Sequence, residues 1–555
     1  MCRLKVVSLN SANAALGALV LAAVFSSAAS ASTYRTFDGS GNNQTHTGWG
    51  AADTQLLRLA PSEYADSVSA LAGVNRPNPR TISNVVVAQA DSIMNSLGAT
   101  DMLMQWGQFL DHDIDLTRAG STESKPIEVP TGDLVFNNEI PFHRSVFDPT
   151  SGSDAGNPRQ QTNAVTAYID ASQIYGSDQA TADSLRIENS DGSLNWQLKM
   201  TSTVNGDLLH LDDNPVDTER QFNSGDERAN EQIGLTVMHT LFNREHNRLG
   251  AEIAAANPGY DDEKVYQETR KLVGAMMQTV TFNEFLPTLL GDGAIDPYAG
   301  YRDDVNPGIA NAFSTAAYRF GHSTLSDNIL RLDADGDPIA AGHIPLKNAF
   351  FNPMLLRDDA NGGIEPILRG LTTQVGQKVD PFLVDAVRNF LFAPPVDVGF
   401  DLAALNLQRG RDHGLPGYNA MRAALGLGAY TWDSAVFLPG VKDLLMLVYT
   451  DIDDLDLWVG GLSEAHVNGG MLGELFSAIV SDQFRRLRDG DRFWYENGMF
   501  EDEWMDFLNG STLSDIIMRN TDIDFMQANV FRVPEPEILA LWLVGLLGLR
   551  RIRRA

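Results

Sequence analysis

What most constrains this chain of 555 residues is the period at which its apolar side chains recur. Ile233, Val237 and Leu241 stand at four-residue steps with Met238 and Phe242 beside them, so one face of a helix is apolar and must be buried. AYIDASQIYG (167–176) and VDAVRNFLF (384–392) also read as helical or helix-adjacent, whereas alternating strand patterns are rare and short. RPNPRTISN (76–84) and PFHRSVFDPTSGSDAGNP (141–158) read as long loops. Neither an internal repeat nor a low-complexity linker interrupts the stretch from about Thr33 to Arg532. The spacing therefore predicts a mainly α fold, with one large domain over residues 33–532, long loops and little β structure.

Both ends read as addresses. Residues 1–31 place Arg3 and Lys5 before an apolar run from Ala14 to Phe25 and close on Ala29-Ser30-Ala31, the layout of a leader cut by signal peptidase. Residues 533–555, VPEPEILALWLVGLLGLRRIRRA, join a Pro-Glu-Pro motif, an apolar run from Ile538 to Leu549 and a basic end. That run falls short of the roughly 20 residues a spanning helix needs. The tail resembles the PEP-type C-terminal sorting signal of Gram-negative bacteria. The resemblance implies export, processing by an exosortase, and an extracellular or exopolysaccharide-associated location for a mature protein that does not stably span a membrane. The single cysteine, Cys2, lies in the leader, so the mature chain has neither a disulfide nor cysteine–metal chemistry. A formal net charge of −31 argues against nucleic acid as a partner, because no basic face is present to meet phosphates.

The stretch QWGQFLDHDIDLT (105–117) ends an apolar segment in three aspartates around one histidine. Residues three and four apart share a helix face, so Gln108, Asp111 and His112 can line one pocket while Asp113 points elsewhere. Further polar groups stand in SGDERANEQIGLTVMHTLFNREHNRLG (224–250), which carries Arg228 and Glu231, and in AFSTAAYRFGHSTL (312–325), which carries Arg319 and His322. ALNLQRGRDHGLPGYNAMR (404–422) adds Asn406 and Arg409, and TAYIDASQIYGS (166–177) adds Thr166, Tyr168, Asp170 and Ser172.

In this order and spacing, from Pro61 to Asn497, the motifs resemble those of the animal-type haem peroxidases (the peroxidase–cyclooxygenase superfamily, peroxidasin-like). The resemblance implies a large haem-peroxidase domain and haem b as cofactor. It makes His112 the distal histidine, Gln108 its neighbour across a distal water, and Arg228 the distal arginine. His322 becomes the ligand of the haem iron. Asn406 is expected to accept a hydrogen bond from the other ring nitrogen of His322, which fixes the imidazole and raises its basicity. Arg319 and Arg409 match partners of the haem propionates, for which guanidinium forks are suited. Asp111 and Glu231 match carboxylates that form esters with the haem, so at least partial covalent attachment is expected. Calcium is implied at Asp113, Thr166, the carbonyl of Tyr168, Asp170 and Ser172, an oxygen-only set of the kind this ion prefers. Asp115 matches no family role and reads as a solvated or capping carboxylate.

The implied reaction consumes hydrogen peroxide and oxidises a small donor, aromatic or phenolic first and halide or pseudohalide second, through a ferryl-haem intermediate. His112 would act as acid and base, and Arg228 would stabilise charge on the departing oxygen. Gln232 stands where one branch of the family has a haem-bonded methionine, so that linkage cannot form. Two rival readings are a haem-dependent fatty-acid dioxygenase and a haem-free extracellular matrix protein. The dioxygenases carry a radical tyrosine three residues before the proximal histidine. Here that position is Arg319, and Tyr318 lies one step off, about 100° round an α-helix. His239, His246 and His413 read as structural, and DADGD (333–337) as a turn.

Overall fold

The computed structural model describes residues 33–211, 221–392 and 399–534. The leader and nearly all of the C-terminal tail lie outside these residues. From Tyr34 onward the described residues belong to one compact unit. Helix dominates it, at 39% against 12% strand, and every ladder is a pair of short antiparallel strands such as Ala119–Ser124 with His143–Ser145.

Five helices position the site: α1 (Asp101–Ile114), α2 (Ile233–Ala256), α3 (Asp262–Val280), α4 (Leu402–Asp412) and α5 (Glu474–Asp489). α1 packs on α2, and α2 packs on α3. Most of α1 is core: Met102, Leu103, Trp106, Phe109, Leu110 and Ile114 are each at most 1% exposed. The helix ends where Asp115 turns extended and the next amide, of Leu116, donates to the side chain of Asn163 instead of continuing the helical series. On α2, the residues at four-residue steps are fully buried, as their spacing predicts.

One loop expectation is overturned. Residues Pro79–Ile82 form a helical turn that runs on through a wider turn at Ser83–Val87. The cause is local: Asn78 caps the first turn by accepting from Thr81 N, and Pro79 has its backbone pre-set for the first helical position. AYIDASQIYG and VDAVRNFLF hold only short helices, Ser172–Tyr175 and Asp385–Arg388.

Buried arginines join segments remote in sequence. Arg80 binds Asp133 and Asp401, each at 2.7 Å, and Arg411 binds Asp456 at 2.7 Å. Such pairs specify which segments meet more than they add net stability, since both charges lose their hydration. Among the described residues no helix is long and apolar enough to cross a membrane.

Candidate active site

α1 turns Met104, Gln108, Asp111 and His112 toward a cavity of about 1080 Å³, counting its mouth. The loop before α2 supplies Arg228, Glu231 and Gln232 to the same wall. The 3-10 turn Ala317–Ser323, packed between α1 and α5, supplies Tyr318, Arg319 and His322. Phe320, Leu325, Leu346, Phe350 and Leu391 give the rest an apolar surface.

His112 is 3% exposed. Its Nδ1 lies 3.6 Å from Asp226 Oδ1 and its Nε2 lies 3.9 Å from Glu231 Oε2, both beyond hydrogen-bond length. Burial, with Arg228 nearby, drives the imidazole well below its ordinary range, so the ring is neutral at pH 7. Arg228 donates through Nε and Nη2 to the two oxygens of Asp226, at 2.9 and 2.8 Å, and through Nη2 to the Asp115 carbonyl at 3.0 Å. Burial opposes the charge on Arg228, but Asp226 more than offsets it and the guanidinium stays protonated. Burial likewise pushes Asp226 up, and Arg228 then holds it below the usual carboxylate range.

Asp111, 3.8 Å from Arg228 Nη1, is pushed up to about 8 by burial and then by Asp115, and burial also raises Glu231. About 30% of the Asp111 side chain is accessible, and that surface is cavity wall. Asp115 is not solvated. It occupies the C-terminal cap of α1 at 5% exposure, because its carbonyl and side chain are drawn inward by Arg228 and Ser314.

Gln232 begins α2 by accepting from Gly234 N at 2.7 Å, which leaves its amide nitrogen to donate to Gln108 at 3.0 Å and Gln105 at 2.5 Å. One glutamine thereby fixes the other's orientation and links two helices. A Cβ at Gly234 would sit 2.4 Å from Gln105 Oε1, so a larger residue there would push that amide aside.

His322 meets Asn406 of α4, Nδ1 to Nδ2, at 2.8 Å. Burial, then Arg319, lowers its pKa to about 3. The direction of this bond departs from expectation. Asn406 Oδ1 is taken by Arg319 Nη1 at 2.9 Å, so the amide nitrogen faces the ring and donates to it. Turning the amide over would restore the expected acceptor and give up the Arg319 bond.

Arg409 also departs from expectation, since it does not line the cavity. Its Nη1 donates to the His143 carbonyl, Ser145 Oγ and Asp412 Oδ2 at 3.0, 2.8 and 3.1 Å, and its guanidinium lies 4.2 Å over Phe142. A carboxylate only three residues along the same helix captures it.

The residues assigned to calcium come together behind His112. Asp113 Oδ1 accepts from Ser172 N at 2.5 Å, and Oδ2 accepts from Asp170 N and Ala171 N at 3.1 and 3.2 Å. Ala171 adopts a left-handed φ of 65°, part of the sharp turn that brings these amides together. Thr166 Oγ1 donates to Asp170 Oδ1 at 3.2 Å, while Asp170 Oδ2 is buried with no hydrogen-bond partner. Burial and then Asp170 raise Asp113 well above the ordinary range, and burial brings Asp170 to about 6. Two repelling buried carboxylates, one oxygen unpaired, fit a divalent cation. The phenol of Tyr168 is bonded to the Trp49 carbonyl at 2.8 Å, which leaves its own carbonyl as the candidate ligand.

The three histidines that read as structural are bonded as core residues: His246 to Tyr175 and Trp196, His239 to Ser224, and His413 to Ser145 and Asn311. Asp333 Oδ1 accepts from the amides of Asp335 and Asp337, which closes that segment as a turn. In the sequence Asp226 is only a carboxylate two residues before Arg228, and Tyr318 stands at a helical offset from the expected radical position. Tyr318 nevertheless lines the cavity, its hydroxyl buried and without a hydrogen-bond partner.

This donor set suits a haem. His322 offers Nε2 to a metal in the tautomer that carries its proton on Nδ1, the one for which the turned-over Asn406 amide is the acceptor. Apolar side chains suit the faces of a porphyrin, and Arg228 and Arg319 bring positive charge to the same cavity.

A family model described as "Animal haem peroxidase" matches residues 34–531. The "Peroxidasin homolog pxn-2" of Caenorhabditis elegans is 36% identical over 90% of this chain, which spans 42% of that protein's length. Peroxidase A from Dictyostelium discoideum superposes with a TM-score of 0.81 at 34% identity, covering 90% of this chain and 99% of that one. A fatty acid alpha-dioxygenase from Arabidopsis thaliana shares the fold at a TM-score of 0.76 and 20% identity, over 91% of this chain and 84% of that one.

Proposed function

The chain belongs to the animal haem peroxidase family, and on that premise we propose that it is an exported haem peroxidase that reduces hydrogen peroxide with electrons from small donors. One observation carries the reading: a buried neutral imidazole, His112, and a locked guanidinium, Arg228, share one cavity with a second imidazole, His322.

Bound haem would supply a redox-active iron able to give two electrons to peroxide. His322 would hold it, with Asn406 and Arg319 fixing the ring. His112 accepts a proton from the incoming peroxide and returns it to the leaving oxygen, work for which its neutral state is the right starting point. Arg228, charged and immobilised by Asp226, faces the negative charge that develops there. Gln108, oriented by Gln232, helps to order water beside His112. Asp111 and Glu231 are cavity-facing carboxyls available for ester links to haem methyl groups. Calcium at Asp113, Thr166, Tyr168, Asp170 and Ser172 would anchor the residue next to His112.

The leader and the Pro-Glu-Pro tail support export from a Gram-negative cell by signal peptidase and an exosortase. The strongly acidic chain favours neutral aromatic donors over anions. The test is purified mature protein with haem: a Soret band, with guaiacol oxidation that requires peroxide, is expected. Protein that stays colourless after incubation with haem and removal of unbound haem would exclude the reading and favour a matrix protein.

A second reading, a fatty-acid dioxygenase, draws on Tyr318 in the cavity wall. Oxygen uptake with linoleate in the absence of peroxide would establish it.

A further inference from the structure

Tyr318 is the inner end of a column of aromatic rings that runs from the cavity toward the surface. Its ring centroid lies 5.8 Å from that of Phe484, Phe484 lies 6.1 Å from Phe282, and Phe282 lies 4.8 Å from Trp494. Trp494 in turn lies 6.0 Å from the half-buried Tyr298. Packing alone accounts for the phenylalanines. It does not account for an oxidisable ring at each end, nor for the setting of Trp494. That indole is 1% exposed, yet its Nε1–H donates to Glu496 Oε2 at 3.0 Å, and Glu496 is a surface residue.

We propose that this column conducts electrons from donors too large for the cavity, docked near Tyr298 and Glu496, to the cofactor inside. The inference rests on the haem-peroxidase reading. Hydrogen peroxide withdraws two electrons from the bound cofactor, and each is replaced singly. Trp494 gives up one electron inward while its indole proton moves from Nε1 to the Glu496 carboxylate. A surface donor then returns an electron to Trp494, and Glu496 returns the proton. The donor leaves oxidised by one electron and the chain is unchanged.

Tyr318 and Trp494 differ in how they handle a proton. The Tyr318 hydroxyl has no hydrogen-bond partner, and burial holds its ionisation well above the ordinary phenol range, so it has nowhere to release a proton. Oxidation therefore passes Tyr318 and rests on Trp494. At the outer end Asp489 is paired with Arg488 and the buried Asp491 with Arg35, which leaves Glu496 as the exposed carboxylate of the three around Tyr298, within a chain of net charge −31. The donor it fits is a basic one-electron protein.

Ferrocytochrome c, which is basic and too large to enter, serves as the probe, with guaiacol as the small donor, on mature haem-loaded protein. Trp494→Phe is expected to slow ferrocytochrome c oxidation about tenfold or more while guaiacol turnover holds. Added salt should slow only the former. Independently of turnover, protein grown on ring-deuterated tryptophan and freeze-quenched after peroxide should give a narrowed radical signal by electron paramagnetic resonance, absent in Trp494→Phe. The surface variant Glu496→Gln, which leaves the core intact, should also slow the large donor. Unchanged ferrocytochrome c oxidation in both variants, or a signal narrowed only by deuterated tyrosine, overturns the proposal. Failure of wild-type protein to oxidise guaiacol would instead remove the peroxidase reading beneath it.

Discussion

Asp226 holds Arg228 by two parallel hydrogen bonds of 2.9 and 2.8 Å, and the same carboxylate stands 3.6 Å from Nδ1 of His112. A single buried anion thus keeps the cation charged and fixed while it faces the ring that must stay neutral. Asp226→Asn breaks the fork. The peroxide reaction should slow about 10–100-fold, the loss expected when a catalytic group is displaced by an ångström or so. Because Asp226 raises the pKa of His112, the acid limb of the pH–rate profile should move to lower pH in the variant. An unmoved limb in stopped-flow measurements would refute the coupling.

His112→Ala removes the proton acceptor without disturbing His322. The second-order rate with peroxide should fall by about 10²–10⁴ while the Soret band persists. His322→Ala should lose the Soret band itself.

Asn406→Leu leaves His322 without its partner and frees Arg319. Losing a partner that orients a metal ligand typically costs about 10–100-fold in affinity or activity. Haem transfer to apomyoglobin would measure the first and guaiacol turnover the second. No change in either would mean that Arg319 alone orients the ring.

Calcium removal should expose the repulsion between Asp113 and Asp170. A ligand present at 100 times its dissociation constant adds about 2.7 kcal/mol to folding stability, so a chelator should lower the melting temperature of the wild type measurably. Asp170→Ala should melt at the same temperature with or without chelator.

Glu284 tests the core away from the site. It is 8% exposed, accepts from Leu513 N at 3.0 Å, and burial raises its pKa from 4.5 to about 7. The folded state therefore keeps a proton that the unfolded state has lost between those values. Wild-type stability should fall as pH rises from about 4.5 through 7, by on the order of 2–3 kcal/mol. Glu284→Gln should flatten that dependence in thermal melts between pH 5 and 8.

The mainly helical fold was readable in the four-residue steps of α2, and the Gln108–Asp111–His112 face in the three- and four-residue spacing of α1, because both follow from helix geometry within a few residues. Arg228 and Glu231, Asn406, and His322 could be named from the motifs of three separate segments. What the spacing did not contain was which groups would become neighbours across the fold. Arg319 takes the oxygen of Asn406, Asp115 is drawn inward by Arg228, and Tyr318 reaches the cavity from a 3-10 turn. Protonation states belong to the same class. The neutrality of His112 and the raised carboxyl of Asp111 come from lost hydration and from charges brought close by folding. Local sequence supplied the chemical groups, and tertiary packing decided their partners and their charge, because hydration and Coulomb energy depend on distances set only when remote segments meet.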